Sequence, residues 1–518
     1  MSTRTRAWSL TATVLVFGAA ACRSSAPTDI VTPTPQPPAS VAPAADESFR
    51  ATPPEAEGEV VFQPPKIEET RLANGLRVLV VTRHELPIVS VTLAVRRGVD
   101  QSPPGVGAFS AALLTQGTKD LTSLQVSDAV KGLGATLSSF ASFDATMVSG
   151  RCLSNRLDPF MDLLGAVVKT PRFDKEEIER ERISRLTAIG QQSDQPSTIA
   201  WNTTTSVLYP KGHPYASPTI GDEASVKNAS RAALQQAYAA SMGPEDAVVA
   251  FAGDVTLDQA KQEAERVLGD WKGHQKKRDT RVDVAPPAIM KSTESAVPRL
   301  VFVERPGATQ SQVLYARVGV PRKGPDFDAL TVMNTILGGH FSSRLNMNLR
   351  EKHAYTYGAR SGFDMRIGPG PFTAGGAIET RATAPAIKEM RSELARIRKE
   401  DVSDEELATA KKFQNGQLPA RFESASDTSA TLAALAVYDL GNDEFATRAA
   451  RVQAVTAADV RRVAARYLDD ADAWIVVVGD PSVLPELEGL GLGKPEIRKA
   501  PAKKPAPKPG AKAPAPKL

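Results

Sequence analysis

An internal repeat restricts this chain more than any other feature. The strand-like run AVVAFAGDV (247–255) follows a helical segment, SRAALQQAYAASM, that carries Tyr238. Much later WIVVVGD (474–480) follows AADVRRVAARYL, which carries Tyr467. The stretches ahead of these endings repeat one order of elements. The first opens with strands 76–81 and 88–95 after the turn Asn74-Gly75, continues with a helix over 124–134, and places a strand pair over 135–153. The second opens with strands 299–305 and 312–320, followed by helices ALTVMNTILGG and SSRLNMNLREK and the strands TYGARSGFD and PFTAGGAIET. Self-similarity on this scale predicts two homologous halves. Strand pairs beside long helices make each half α+β, a mainly antiparallel sheet with helices packed on it.

Composition sets the boundaries. At 518 residues the chain is long enough for more than one core. Residues 66–271 read as the first half, 272–296 as a polar, proline-bearing linker and 297–490 as the second half. Residues 22–65 are a Pro/Ala-rich tether, and 491–518 a Lys/Pro/Ala-rich tail expected to be disordered. Residues 1–21 combine Arg4 and Arg6 with an apolar run and a small-residue end, as an export signal peptide does. Cleavage after Ala21 would leave Cys22 at the new N-terminus, as in bacterial lipoproteins, although a leucine is usual where Ala19 stands. The expected location is the periplasmic cell envelope, with a lipidated Cys22 as membrane anchor or, alternatively, as a plainly soluble protein. With Cys22 acylated, Cys152 is the remaining thiol and no internal disulfide can form. The formal charge of +4 is concentrated in the tail, where residues 494–518 hold eight Lys or Arg against one acid. The body is therefore slightly acidic, and no nucleic-acid partner is expected.

The stretch PGVGAFSAALLTQGT (104–118) is a helix between glycine turns, and from Ala108 to Leu114 it has no group suited to binding metal or moving a proton. Together with RLANGLRVLVV, ELPIVSVTLAVRRG, FDKEEIERERISRL, GHPYASPTIG and LGGHFSSRLNMNLREKHAYTYGA, taken in order, it resembles the pitrilysin/insulinase-like (M16) zinc peptidases over about residues 66–485. The resemblance implies two halves forming a clam-like bowl around unfolded peptides. It also implies an H-x-x-E-H helix whose histidines bind zinc and whose glutamate is the general base. On that pattern Ala108 and Ala112 stand at the histidines and Ala111 at the glutamate; Ala188 stands at the third ligand, seven residues after Glu181. The histidines, at 84, 213, 274, 340 and 353, show no i, i+3 or i+4 pairing. No zinc is expected in this chain, and His213 in GHPY is expected to be structural.

The same resemblance assigns roles to what survives. Arg350 and Tyr357, seven residues apart, match the pair that holds the substrate carbonyl in active members, with Tyr355 as the fallback. A strand carrying Tyr355 and Tyr357 on one face is expected. Ser138 and Ser139 fall where active members hold the substrate backbone along an edge strand. The glycine-rich RIGPGPFTAGG (366–376) reads as a hairpin turn or as a flexible loop. The expected role is a non-catalytic, substrate-binding subunit. It would act on peptides beside an H-x-x-E-H partner that holds the zinc, with an inert scaffold or binding protein of the cell envelope as the alternative.

Overall fold

The computed structural model describes residues 62–273, 299–470 and 472–501. The signal segment, Cys22, the tether up to residue 61, most of the linker and the end of the tail lie outside the described residues. Within them, the first half builds one sheet from β1 (Glu68–Arg71), β2 (Arg77–Thr82), β3 (Ile88–Val95), β4 (Thr136–Ala141), β5 (Thr146–Leu153) and β6 (Ala247–Gly253). Its order is β1-β2-β6-β3-β5-β4. The second half builds β7 (Arg299–Glu304), β8 (Gln310–Val318), β9 (Arg360–Phe363), β10 (Pro371–Glu379), β11 (Trp474–Gly479) and β12 (Glu496–Lys499), in the order β12-β7-β11-β8-β10-β9. The repeat is thus exact in topology for five strands of each sheet. The sixth comes from the chain's N-terminal side in one sheet and its C-terminal side in the other.

The mainly antiparallel α+β halves are as expected, with one refinement of the sheets and one correction to the tail. The sheets are mixed, because β6 runs parallel to β2 and β11 parallel to β7. Those partners are separated by long helical excursions, so no hairpin forces them antiparallel. In addition, the span assigned to the tail contributes β12, which pairs in parallel with β7 from Glu496 to Lys499. The alternating EIRK was hidden by the Lys/Pro-rich composition around it.

The central strands read as nearly continuous apolar runs because both faces of each sheet are covered. In the first half one face carries a core that includes Leu93, Phe109, Phe160 and Leu164. The other face, with Leu79, Val81, Ala94, Val248 and Ala250, is covered by the helix Ala425–Val437 from the second half, through Leu432, Ala433, Leu435 and Val437. Ser429 of that helix lies 3.0 Å from both Ser90 Oγ and Thr92 Oγ1, so the hydroxyls buried on this face are paired. The reciprocal contact uses the helix Pro196–Leu208 of the first half. Its Ile199 and Ala200 pack on Val301, Val303, Val476 and Val478 of the second sheet. Each half therefore completes its partner's core.

The glycine-rich loop lies in the same junction. It closes the β9–β10 hairpin, the first of its two readings, and is gripped by the first half. Asp144 Oδ1 accepts from the Ile367 amide at 3.1 Å, and the Gly368 amide donates to the Tyr215 hydroxyl at 3.1 Å. The Tyr209 hydroxyl donates to the Pro369 carbonyl at 2.9 Å. Buried Arg366 lies over the rings of Phe143 and Tyr215 at 3.7 and 4.5 Å. Burial raises the Asp144 carboxyl pKa against the opposing pull of these donors. His213 stacks on Tyr209 at 4.9 Å and accepts from the Tyr215 amide at 3.0 Å, so it organises this clasp.

Candidate functional site

The helix Val106–Ala112 starts at Gly105, whose φ of 77° only glycine adopts without strain. A side chain there would also meet the Gly221 Cα at 2.8 Å. This close approach sets where the helix begins and holds the 218–222 turn beside it. Phe109 is fully buried, and the Ser110 hydroxyl donates to the Leu234 carbonyl at 2.8 Å. The remaining face turns Ala108 and Ala112 into a cavity of about 330 Å³.

That cavity gathers residues far apart in sequence: Ala108 and Ala112 from one helix, Glu181, Arg185 and Ala188 from the helix Lys175–Gln192, and Ser139 and Phe140 from β4. Ala111 is turned inward; its carbonyl accepts from the Ser139 hydroxyl at 2.7 Å. Ser138 faces the other way and lies 3.3 Å from the Ser149 hydroxyl. β4 is the outer strand of its sheet, so its far edge has no strand beside it among the described residues.

A residue not anticipated from sequence dominates the cavity. Arg185 reaches in, donates through Nη2 to the Ala108 carbonyl at 2.7 Å, and sets Nε 2.8 Å from Glu181. Its guanidinium also lies 5.1 Å from the centre of the Phe109 ring. Burial lowers its pKa, with Glu181 opposing the shift. A guanidinium nonetheless stays charged at neutral pH. The signal was available: Glu181, Arg185 and Ala188 are spaced i, i+4, i+7 and share a helix face. The donor set does not suit zinc, since the methyl groups of Ala108, Ala112 and Ala188 line the wall and a cation is already present beside the one carboxylate. Among the described residues no group of three or more His, Cys, Asp or Glu side chains is placed to hold a metal ion.

The second half presents a different surface. Arg350 belongs to the wide helical turn Met347–Lys352; its guanidinium stacks 4.6 Å from the Phe341 ring centre and approaches Glu351 at 3.4 Å. The expected strand through Tyr355 and Tyr357 does not form. One isolated bridge joins Thr356 to Ile378, and regular pairing begins at Arg360. Thr356 spends its hydroxyl on the Ala377 carbonyl at 2.7 Å, which holds the loop backbone without a ladder. Consequently the two tyrosines part company. Tyr355 packs on the second core and stacks on His353 at 5.0 Å, whereas Tyr357 is 91% exposed. Phe341 and Met347 are exposed in the same region of sequence.

Comparison with known proteins agrees with this architecture. The family model described as insulinase (peptidase family M16) matches residues 77–223, and the one described as peptidase M16 inactive domain matches residues 228–413. An uncharacterised zinc protease of Mycobacterium leprae is 28% identical over 352 residues, covering 66% of this chain and 76% of its own length. One from Mycobacterium tuberculosis is 27% identical over 373 residues, covering 70% and 82%. Among solved structures, a peptidase M16 inactive domain from Pseudomonas fluorescens superposes with a TM-score of 0.73 at 26% identity, covering 80% of this chain and 98% of that one. A protease from Helicobacter pylori shares the fold with a TM-score of 0.71 at 22% identity, covering 80% and 100%.

Proposed function

Because the chain belongs to the M16 peptidase family, we propose that it is the non-catalytic, substrate-binding subunit of a zinc metallopeptidase pair. Its partner is an H-x-x-E-H chain that supplies the metal and the general base. One observation carries this reading: Tyr357 stands 91% exposed on a loop whose backbone is tied down. A phenol held out with no packing role suits a partner or substrate better than it suits the fold. Arg350 and Tyr357 act in the shared chamber as donors to the substrate carbonyl oxygen as it gains negative charge, where desolvated hydrogen bonds are strongest. The open edge of β4, with Ser138 and Ser139, takes an unfolded peptide as an added strand. The chain works in the periplasmic cell envelope, anchored through a lipidated Cys22.

The test is reconstitution. Alone, the purified chain should bind no zinc and cleave nothing; mixed with its partner it should restore peptide hydrolysis. Arg350→Ala and Tyr357→Phe should each lower kcat/KM of the pair by roughly 10²–10³, the usual cost of one oxyanion donor. Pair assembly on gel filtration should be unchanged. A partner fully active by itself would overturn the proposal. Neutral Arg350 and Tyr357 variants would do so in favour of an inert scaffold.

A further inference from the structure

A second cavity, of about 550 Å³, lies wholly in the second half, and three arginines from separate segments line it. Arg322 follows β8, Arg421 sits in the turn Pro419–Phe422, and Arg448 lies on the helix Glu444–Ala454. Arg448 is 5% exposed, and its Nε has no hydrogen-bond partner; Asp328 Oδ1 stands 3.9 Å away, too far for a hydrogen bond. Arg421 lies 5.8 Å from the Phe445 ring centre and makes no ion pair among the described residues.

The carboxylates nearby are already committed. Glu444 pairs with Arg322 at 3.0 Å and with Arg451 at 2.8 Å, and Asp328 pairs with Arg451 at 2.6 Å. Asp427, which also lines the cavity, is exposed and accepts from the Ser424 hydroxyl at 2.5 Å. Arg421 bears on its neighbour: burial and then Arg421 push Arg448 down to about 10. Three guanidinium groups line the recess against one lining carboxylate, Asp427, and an incoming anion would offset that imbalance. The rest of the wall is mostly apolar, with Leu435, Leu440 and Phe445 prominent, and adds Gln417, Thr431 and Tyr438.

We infer that this cavity binds an organic anion, its carboxylate or phosphate head between Arg421 and Arg448 and its apolar body against Leu440 and Phe445. Both heads match the guanidinium fork, which donates paired hydrogen bonds to oxyanions. This site uses none of the residues assigned to peptide hydrolysis, so it stands or falls independently of that role.

Isothermal titration of the full chain with octanoate, octyl phosphate and uncharged octanol tests it. At least one of the two anions should bind, and octanol at least about tenfold more weakly, because it offers the guanidinium groups no charge. The preferred anion identifies the head group. Arg421→Gln, at an exposed position where folding is not at stake, should weaken that binding by about tenfold or more. Ala430→Trp, which fills the recess from an exposed position, should abolish it. Absence of binding by both anions, equal binding of octanol, or an Arg421→Gln titration matching the unmodified chain would each overturn the inference.

Discussion

The two halves share a strand order but present opposite chemistry. The cavity beside β4 is lined by alanine methyl groups and holds a guanidinium already paired to Glu181. The loop ahead of β9 offers a phenol to solvent with nothing packed on it. In the first case the polar groups are consumed internally: Ser139 on the Ala111 carbonyl and Arg185 on the Ala108 carbonyl. In the second, the backbone is satisfied through Thr356 while the side chain is left over. The contrast shows that a cavity walled by methyl groups can keep a firm frame. Alanine is the strongest helix former, and the close approach of Gly105 to Gly221 persists without any ligand.

The sharpest way to break this contrast is to restore the missing donors. A variant carrying Ala108→His, Ala111→Glu, Ala112→His and Ala188→Glu supplies the family's ligand set, yet Arg185 remains among the new ligands. Two unit charges 4 Å apart at an effective dielectric of 20 interact by about 4 kcal/mol, and a divalent ion doubles the effect. Zinc affinity, measured by competition with a chromogenic chelator, should therefore rise by at least roughly a thousandfold when Arg185→Leu is added to the four. Equal affinity with and without Arg185 would mean that the guanidinium swings out freely and the cavity is merely empty.

Much of this frame was legible in the sequence, for identifiable reasons. IVSVTLAV and WIVVVG announce central strands because strands covered on both faces need apolar residues at nearly every position. The repeat then fixed the correspondence between halves. The exchange of helices was not legible: PSTIAWNTTTSVL shows that it has apolar positions but not which sheet they cover. The strand expected at Tyr355 failed because β-propensity in YTY does not decide whether a neighbour offers a ladder, and here only Thr356 finds one partner. At the site, the alanines stand out against the ligand pattern that the family resemblance implies, whereas Arg185 shows itself only in the i, i+4, i+7 spacing of a helix face.

The comparison holds only if both halves keep a fixed relation, and Leu432 measures that. It is fully buried on the first half's sheet although it belongs to the second half. Leu432→Ala should cost about 2–5 kcal/mol, as large-to-small core changes do. It should lower the denaturation midpoint of the whole chain in a single transition. A separate early transition confined to one half would show that the exchanged helices do not couple them.

The smallest effects discriminate the two tyrosines. Tyr355 packs against the second core and on His353, so Tyr355→Ala should destabilise the chain by roughly 1–3 kcal/mol. Tyr357→Ala removes an exposed ring and should change stability by no more than about 0.5 kcal/mol. Denaturant titration of both variants, read against activity of the assembled pair, separates the roles. A residue that matters for hydrolysis but not for folding holds its position for something outside this chain. If Tyr357→Ala proved as destabilising as Tyr355→Ala, the exposed phenol would be part of the fold, and the distinction between a spent half and an offering half would disappear.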